Sequence, residues 1–79
     1  MFYVYAIQST LNLRVYIGQT QDIDARLAEH NAGQVRSTRQ NRPWRVIKVA
    51  LCESREAARW LEHQLKASRG KRLKWLKFE

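Results

Sequence analysis

Phe2-Tyr3-Val4-Tyr5-Ala6-Ile7 and Leu13-Arg14-Val15-Tyr16-Ile17-Gly18-Gln19 are two runs rich in Val, Ile and Tyr, with the polar segment Ser9-Thr10-Leu11-Asn12 between them. β-Branched and aromatic residues suit a pleated, half-buried surface, so the pattern predicts a β-hairpin. Alternation puts Tyr3, Tyr5 and Ile7 on one face of the first strand and Phe2, Val4 and Ala6 on the other. In the second strand Tyr16 and Gly18 oppose Val15 and Ile17 across the sheet. A turn centred between Thr10 and Leu11 would set Tyr5 opposite Tyr16, a pairing that a slip of one residue would destroy.

Beyond the hairpin, Thr20 or Asp22 can cap a helix that runs to about Ala32 and stops at Gly33, with Ile23 and Leu27 as its apolar contacts. Arg26 and His30 lie four apart and project from the same side, beside that stripe. Gln34 to Arg42 lacks apolar periodicity and reads as a basic loop ending at Pro43. Trp44 to Leu51 reads as a third strand. Ser54 then caps a second helix with Glu56 in its first turn and with Ala57, Ala58, Leu61 and Leu65 facing inward. Glu62 sits at the edge of that stripe, four residues after Ala58 and four before Lys66. Gly70 is expected to break the helix, and Leu73, Trp75, Leu76 and Phe78 to form a last short helix docked on the sheet. Trp44, Trp60 and Trp75 read as packing residues, His63 as surface and Cys52 as a small buried hydrophobe. With no repeat, low-complexity tract or linker, residues 1–79 form one domain of class α/β (α+β).

The 79 residues are 44% apolar and 28% charged, a globular balance, with a core limited by chain length. A lone cysteine excludes an internal disulfide and a cysteine-based zinc site, and it fits a reducing cytosol. The apolar N-terminus lacks a basic leader and is too short to span a membrane, so a cytoplasmic protein with no membrane partner is expected. The charge is the imbalance: fifteen Lys and Arg against seven Asp and Glu give +8. It is concentrated in two acid-free blocks. One holds Arg36, Arg39, Arg42, Arg45 and Lys48; the other holds Lys66, Arg69, Lys71, Arg72, Lys74 and Lys77. A basic run is often only a solvated face, but two such runs in so short a chain favour binding of phosphate, above all in nucleic acid.

Candidates for chemistry are few. There is no glycine-rich phosphate loop, no His-x-x-x-His pair and no carboxylate cluster. A group of polar, aromatic and basic side chains remains: Tyr3, Tyr5, Tyr16, Arg26, His30, Glu62 and Lys66. Each has an ordinary structural reading. The tyrosines can pair across strands, Arg26 can pair with Asp22, His30 can offset the helix dipole, and Glu62 can pair with Lys66 or Arg59.

Taken together, Tyr3-Val4-Tyr5, then Tyr16-Ile17-Gly18-Gln19-Thr20, Arg26-Leu27, His30-Asn31, Gly33, Thr38, Pro43 and a later helical Glu62 resemble the GIY-YIG nuclease domain over nearly the whole chain. The order and spacing are those of its small stand-alone bacterial members. The resemblance implies a three-stranded antiparallel sheet packed with two to three helices and hydrolysis of phosphodiester bonds in DNA. It implies that Tyr5 and Tyr16 are active-site tyrosines, Arg26 the catalytic arginine, His30 its neighbour, and Glu62 the one protein ligand of Mg²⁺ or Mn²⁺. Tyr3 stands where the family motif begins with glycine, Gln19 replaces a basic residue often found after the second motif, and a polar Asn of larger members has no clear match.

The chemistry is coherent on physical grounds. A hard carboxylate suits a hydrated divalent cation, which polarises phosphate and steadies the leaving oxygen. Arginine presents a planar fork of donors to two phosphate oxygens. Tyr16 is the expected general base, with Tyr5 a hydrogen-bonding partner of phosphate or water and His30 a proton relay. The DNA partner is expected to be a branch, flap or duplex, gripped by Arg36, Arg39, Arg42 and Arg45 and by Lys66, Arg69, Lys71 and Arg72. A domain this small has little surface for reading bases, so selection falls to DNA shape or to a protein partner, with repair or recombination the family-level setting. A non-catalytic nucleic-acid-binding module is the alternative; a small RNA-associated protein has only charge in its favour.

Overall fold

The computed structural model describes residues 1–77. Three antiparallel strands, β1 (Phe2–Ser9), β2 (Val15–Thr20) and β3 (Trp44–Cys52), form a sheet in the order β2-β1-β3. Helices α1 (Ile23–Asn31), α2 (Arg55–Ala67) and α3 (Arg69–Lys77) complete it, with one turn of 3₁₀ helix at Arg39–Asn41 inside the basic loop. Among the described residues no helix is long and apolar enough to cross a membrane.

Strand alternation splits the core in two. On one face Val4, Ala6 and Ile17 pack with Cys52 and with Ala58 and Leu65 of α2, joined by Trp75 and Leu76 of α3. On the other, Tyr5, Ile7 and Trp44 pack with Tyr16 and with Ile23 and Leu27 of α1. Since β1 is the central strand, it feeds both clusters, and full burial of Ile7 alone contributes about 1.5–3 kcal/mol. The pairing of β1 with β3 shifts between Ala6 and Ile7. Ile47 then joins the α2 side, and Lys48 beside it places its ammonium 5.8 Å from the Trp75 ring centre.

The hairpin register differs from the expected one. Tyr5 faces Gly18, and Tyr16 faces Ile7. Ser9 and Arg14 close the loop, so the turn centres between Leu11 and Asn12. Two features set that centre: the Ser9 hydroxyl accepts from the amides of Leu11 and Asn12, and Leu13 adopts a left-handed conformation at φ 64°. The shift is two residues in register, so both tyrosines stay on the α1 face.

Asp22, not Thr20, caps α1 by accepting from the amide of Ala25. Gly33 follows with φ 81°, the left-handed turn that ends the helix. Asn31 then pins α1 to the start of β3, donating to the Trp44 carbonyl and accepting from its amide at 3.0 and 2.7 Å. On α2 the inward stripe is Ala58, Leu61 and Leu65, while Ala57, one position round the helix, is exposed. Ser68 separates α2 from α3, and Gly70 lies inside the first turn of α3. Ser68 makes the break because its hydroxyl accepts from the Lys71 amide, as an N-cap does. Trp75 and Leu76 dock on the sheet as expected, whereas Leu73 points outward and Phe78 lies outside the described residues. Trp60 is 65% exposed and packs into no core.

Candidate active site

Tyr5 at the middle of β1, Tyr16 on β2, and Arg26 and His30 on α1 meet on one face of the sheet. Ile23, Leu27 and His30 stand at i, i+4 and i+7, so His30 belongs to the buried stripe of α1, not beside it. Its ring is completely buried. His30 Nε2 lies 2.9 Å from the Tyr5 hydroxyl, and Nδ1 lies 2.8 Å from the Thr38 hydroxyl. Thr38 in turn donates to the Val35 carbonyl at 3.3 Å.

From that last bond, and from the Arg26 donor on the Tyr5 oxygen, we assign the tautomer. Thr38 spends its proton on Val35 and therefore accepts from Nδ1–H, leaving Nε2 to accept the proton of Tyr5. Arg26 Nε donates to the Tyr5 oxygen at 3.4 Å, and its Nη1 reaches Glu29 at 2.7 Å. A directed chain thus runs from Arg26 through Tyr5 and His30 to Thr38. Arg26 does not pair with Asp22, whose carboxylate is occupied with the helix cap.

Burial pushes the Tyr5 phenol above its ordinary value, against the opposing hydrogen bond and charge of Arg26. Burial, reinforced by the Arg26 charge, pulls His30 below its ordinary value. The hydrogen bonds to Glu29 and Tyr5 hold Arg26 more firmly charged. At neutral pH the chain is therefore a neutral imidazole, a protonated phenol and a guanidinium. Below about pH 6.5 the unfolded chain takes up a proton that folded His30 resists. Stability is expected to fall as pH drops from there towards the lowered folded value, by at most about 1.4 kcal/mol per pH unit. Urea titrations of the protein and of His30→Gln should show that slope in the first and its loss in the second.

Gly18 explains how the Tyr5 ring reaches this position. A Cβ built there would stand 2.5 Å from the Tyr5 hydroxyl oxygen and 2.7 Å from Cζ. The ring lies over the bare backbone of its cross-strand partner. Gly18→Ala is expected to drive the hydroxyl away from His30 and to cost about 1–3 kcal/mol, measurable as a lowered urea midpoint.

Glu62 reaches the site around the edge of β2. Its Oε1 accepts from Gln19 Nε2 at 2.8 Å, and its Oε2 pairs with Lys66 at 2.9 Å. Lys66 also stands 5.4 Å from the centre of the Tyr16 ring, which meets the His30 ring edge-on at 5.2 Å. Tyr16, Val15, Ile17, Lys66 and Arg72 line a cleft of about 380 Å³. Among the described residues no three His, Cys, Asp or Glu come together as a group that could hold a metal ion. Glu62 is nonetheless a suitable donor for one hydrated Mg²⁺ or Mn²⁺: a single hard carboxylate, 18% exposed, already facing an ammonium ion.

The expected phosphate-binding residues are differently placed. Arg42 folds back, with Nε donating to the Arg39 carbonyl and its guanidinium against Gly33. Arg45 reaches Gln8, Lys71 reaches Gln64, and Arg72 donates to the Leu65 carbonyl. Arg36, Arg39 and Arg69 are exposed. Thr38 is the site residue to which the sequence assigned no role; a buried threonine in a basic loop has no periodic signal.

Residues 1–74 match the family model of the GIY-YIG catalytic domain. A UPF0213 protein of Haloquadratum walsbyi is 33% identical over 66 residues, which is 82% of this chain and 73% of that one. A UPF0213 protein of Natronomonas pharaonis is 35% identical over 72 residues, 89% of this chain and 84% of its own. The solution NMR structure of a UPF0213 protein from Bacillus halodurans matches with a TM-score of 0.58 at 29% identity, covering 98% of this chain and 86% of that one. Sequence and fold agree over almost the same residues, and the chain belongs to the GIY-YIG family, whose catalytic domain is a nuclease fold.

Proposed function

We propose that the protein is a metal-dependent endonuclease acting on DNA. The observation that carries this reading is the meeting of Tyr5, Tyr16, Arg26 and His30 on one sheet face with Glu62 and Lys66 at the adjoining edge. Glu62 would hold Mg²⁺ or Mn²⁺, and the cation, when bound, would supply Lewis-acid polarisation of the scissile phosphate. Two of the five Arg26 donors are engaged with Tyr5 and Glu29, and the rest are available to phosphate oxygens.

Tyr16 lines the cleft, and we assign it the role of general base towards the attacking water. Tyr5, whose proton is directed at His30, orients water or phosphate through its oxygen. His30, held neutral by burial, would serve as a relay, taking that proton as the Tyr5 oxygen receives another from the reacting water. Lys66 and Arg72 on the cleft wall would grip the flanking backbone, with exposed Arg36, Arg39 and Arg69 as more distant phosphate contacts. The small surface leaves target choice to DNA shape or a protein partner, and DNA repair or recombination is the setting proposed for it.

Incubation with flap, branched, single-stranded and duplex DNA, with Mg²⁺ or Mn²⁺ or with a chelator, tests this. Metal-dependent cleavage of at least one substrate is expected. Binding of all of them with no cleavage would leave a nucleic-acid-binding module of the same fold.

A further inference from the structure

A second concave surface lies between α2 and α3. Trp60, Leu61 and Leu65 of α2 and Trp75 of α3 line a groove of about 500 Å³, with Lys71 and Lys74 on its wall. Lys71 is held there by Gln64, whose side-chain oxygen it reaches at 2.7 Å. Trp60 is 65% exposed, a large aromatic face presented to solvent without a core to fill. No carboxylate lines the groove among the described residues. Lys74 and Lys77 also line a neighbouring hollow, so Lys71, Lys74 and Lys77 recur along α3, about 4.5 Å apart along the axis.

Two geometric facts select the occupant. Trp60 and Gln64 each lie about 160° from Glu62 around the α2 axis, so the groove is on the flank away from the cleft and can be filled while the cleft is in use. The two surfaces are also joined by charge. Lys66 and Arg72 line the cleft, exposed Arg69 begins α3, and Lys71 and Lys74 line the groove. Among the described residues the stretch from Lys66 to Lys77 carries six bases and no acid around the α2–α3 corner, with Lys66 itself paired to Glu62, and it suits a continuous polyanion arriving from the cleft. Flat aromatic surface beside lysines is what unpaired nucleotides bind, by stacking and phosphate attraction without base-edge readout.

We propose that the α2–α3 groove is a binding site for unpaired nucleotides, with Trp60 as its stacking platform. The proposal rests on the nuclease reading, and it names the substrate class: a nucleic acid with a single-stranded arm that leaves the cleft around α2.

The test uses three hairpin duplexes: one blunt, one with a tail of about ten thymidines and one with a matching uridine tail. Affinity and tryptophan fluorescence are measured without divalent metal. A tailed hairpin should bind more tightly than the blunt one and quench fluorescence, the thymidine and uridine arms telling DNA from RNA. Trp60→Ala should weaken tailed binding about 5- to 100-fold and leave blunt binding unchanged, and Trp60→Phe should restore most of the loss. Lys74→Gln should lower the salt slope of tailed binding by about 0.7. Equal affinity for all three hairpins overturns the proposal, as does quenching by an acidic amphipathic peptide but by neither tail. Cleavage of the blunt hairpin with Mg²⁺ or Mn²⁺ is scored separately. Cleavage without a tail preference removes only the groove site; a tail preference without cleavage removes only the nuclease reading.

Discussion

Glu62→Ala should slow metal-dependent DNA cleavage by about 10³-fold or more, since the variant lacks the carboxylate proposed to hold the cation and with it several kcal/mol of transition-state stabilisation. The fold should survive. Glu62 packs in neither apolar cluster, and its pair with Lys66 is an i,i+4 contact between partly exposed groups, worth about 0.3–0.5 kcal/mol. Glu62→Gln separates charge from shape, because an amide of the same size can still meet Gln19 while losing its attraction for a cation. Both variants should be inactive, with urea midpoints close to that of the parent. Cleavage at the parental rate by Glu62→Gln would remove the carboxylate from the mechanism. Lys66 sharpens the comparison. Freed from Glu62, it adds a cation to the cleft, so Glu62→Ala should bind DNA at least as tightly as the parent while failing to cut it.

The sequence announced its elements through local rules that the fold obeys. Asp22 and Gly33 bound α1, Ser54 caps α2, and alternating residues of the two tyrosine runs sort into the two apolar clusters. What it concealed depended on tertiary contacts. The hairpin centre was set by the Ser9 hydroxyl and by Leu13 at positive φ, a conformation for which leucine carries no signal. Ser68, not Gly70, ends α2, because a serine able to cap the next helix stops one more decisively than a glycine that α3 tolerates. Burial of His30 was legible in the i, i+4, i+7 spacing from Ile23 and Leu27. Treating histidine as polar hid it, since the buried imidazole is paired by Tyr5 and by Thr38, both from other parts of the chain. Trp60 shows the opposite error. A tryptophan on a helix suggests core, yet its position faces away from the Ala58–Leu65 stripe.

Tyr16→Phe and Tyr5→Phe delete the same atom, yet they should fail in different ways. The Tyr16 ring contributes its contacts with His30 and Lys66 through its faces and edge, and phenylalanine keeps both. Loss of the hydroxyl proposed as general base should therefore leave the urea midpoint unchanged and slow cleavage by about 10²–10⁴-fold, the usual worth of a positioned general base. The Tyr5 hydroxyl is instead the middle link of a buried chain. Its removal leaves His30 Nε2 without a donor in a fully buried ring and frees Arg26 Nε, at a cost of about 1–3 kcal/mol in stability. Activity should fall as well, because orientation of Arg26 is lost with it. Single-turnover cleavage beside urea unfolding tells the two apart. A Tyr16→Phe protein that cuts at the parental rate would move the base to the Tyr5–His30 pair, where a proton passing to the Tyr5 oxygen is matched by one leaving for Nε2.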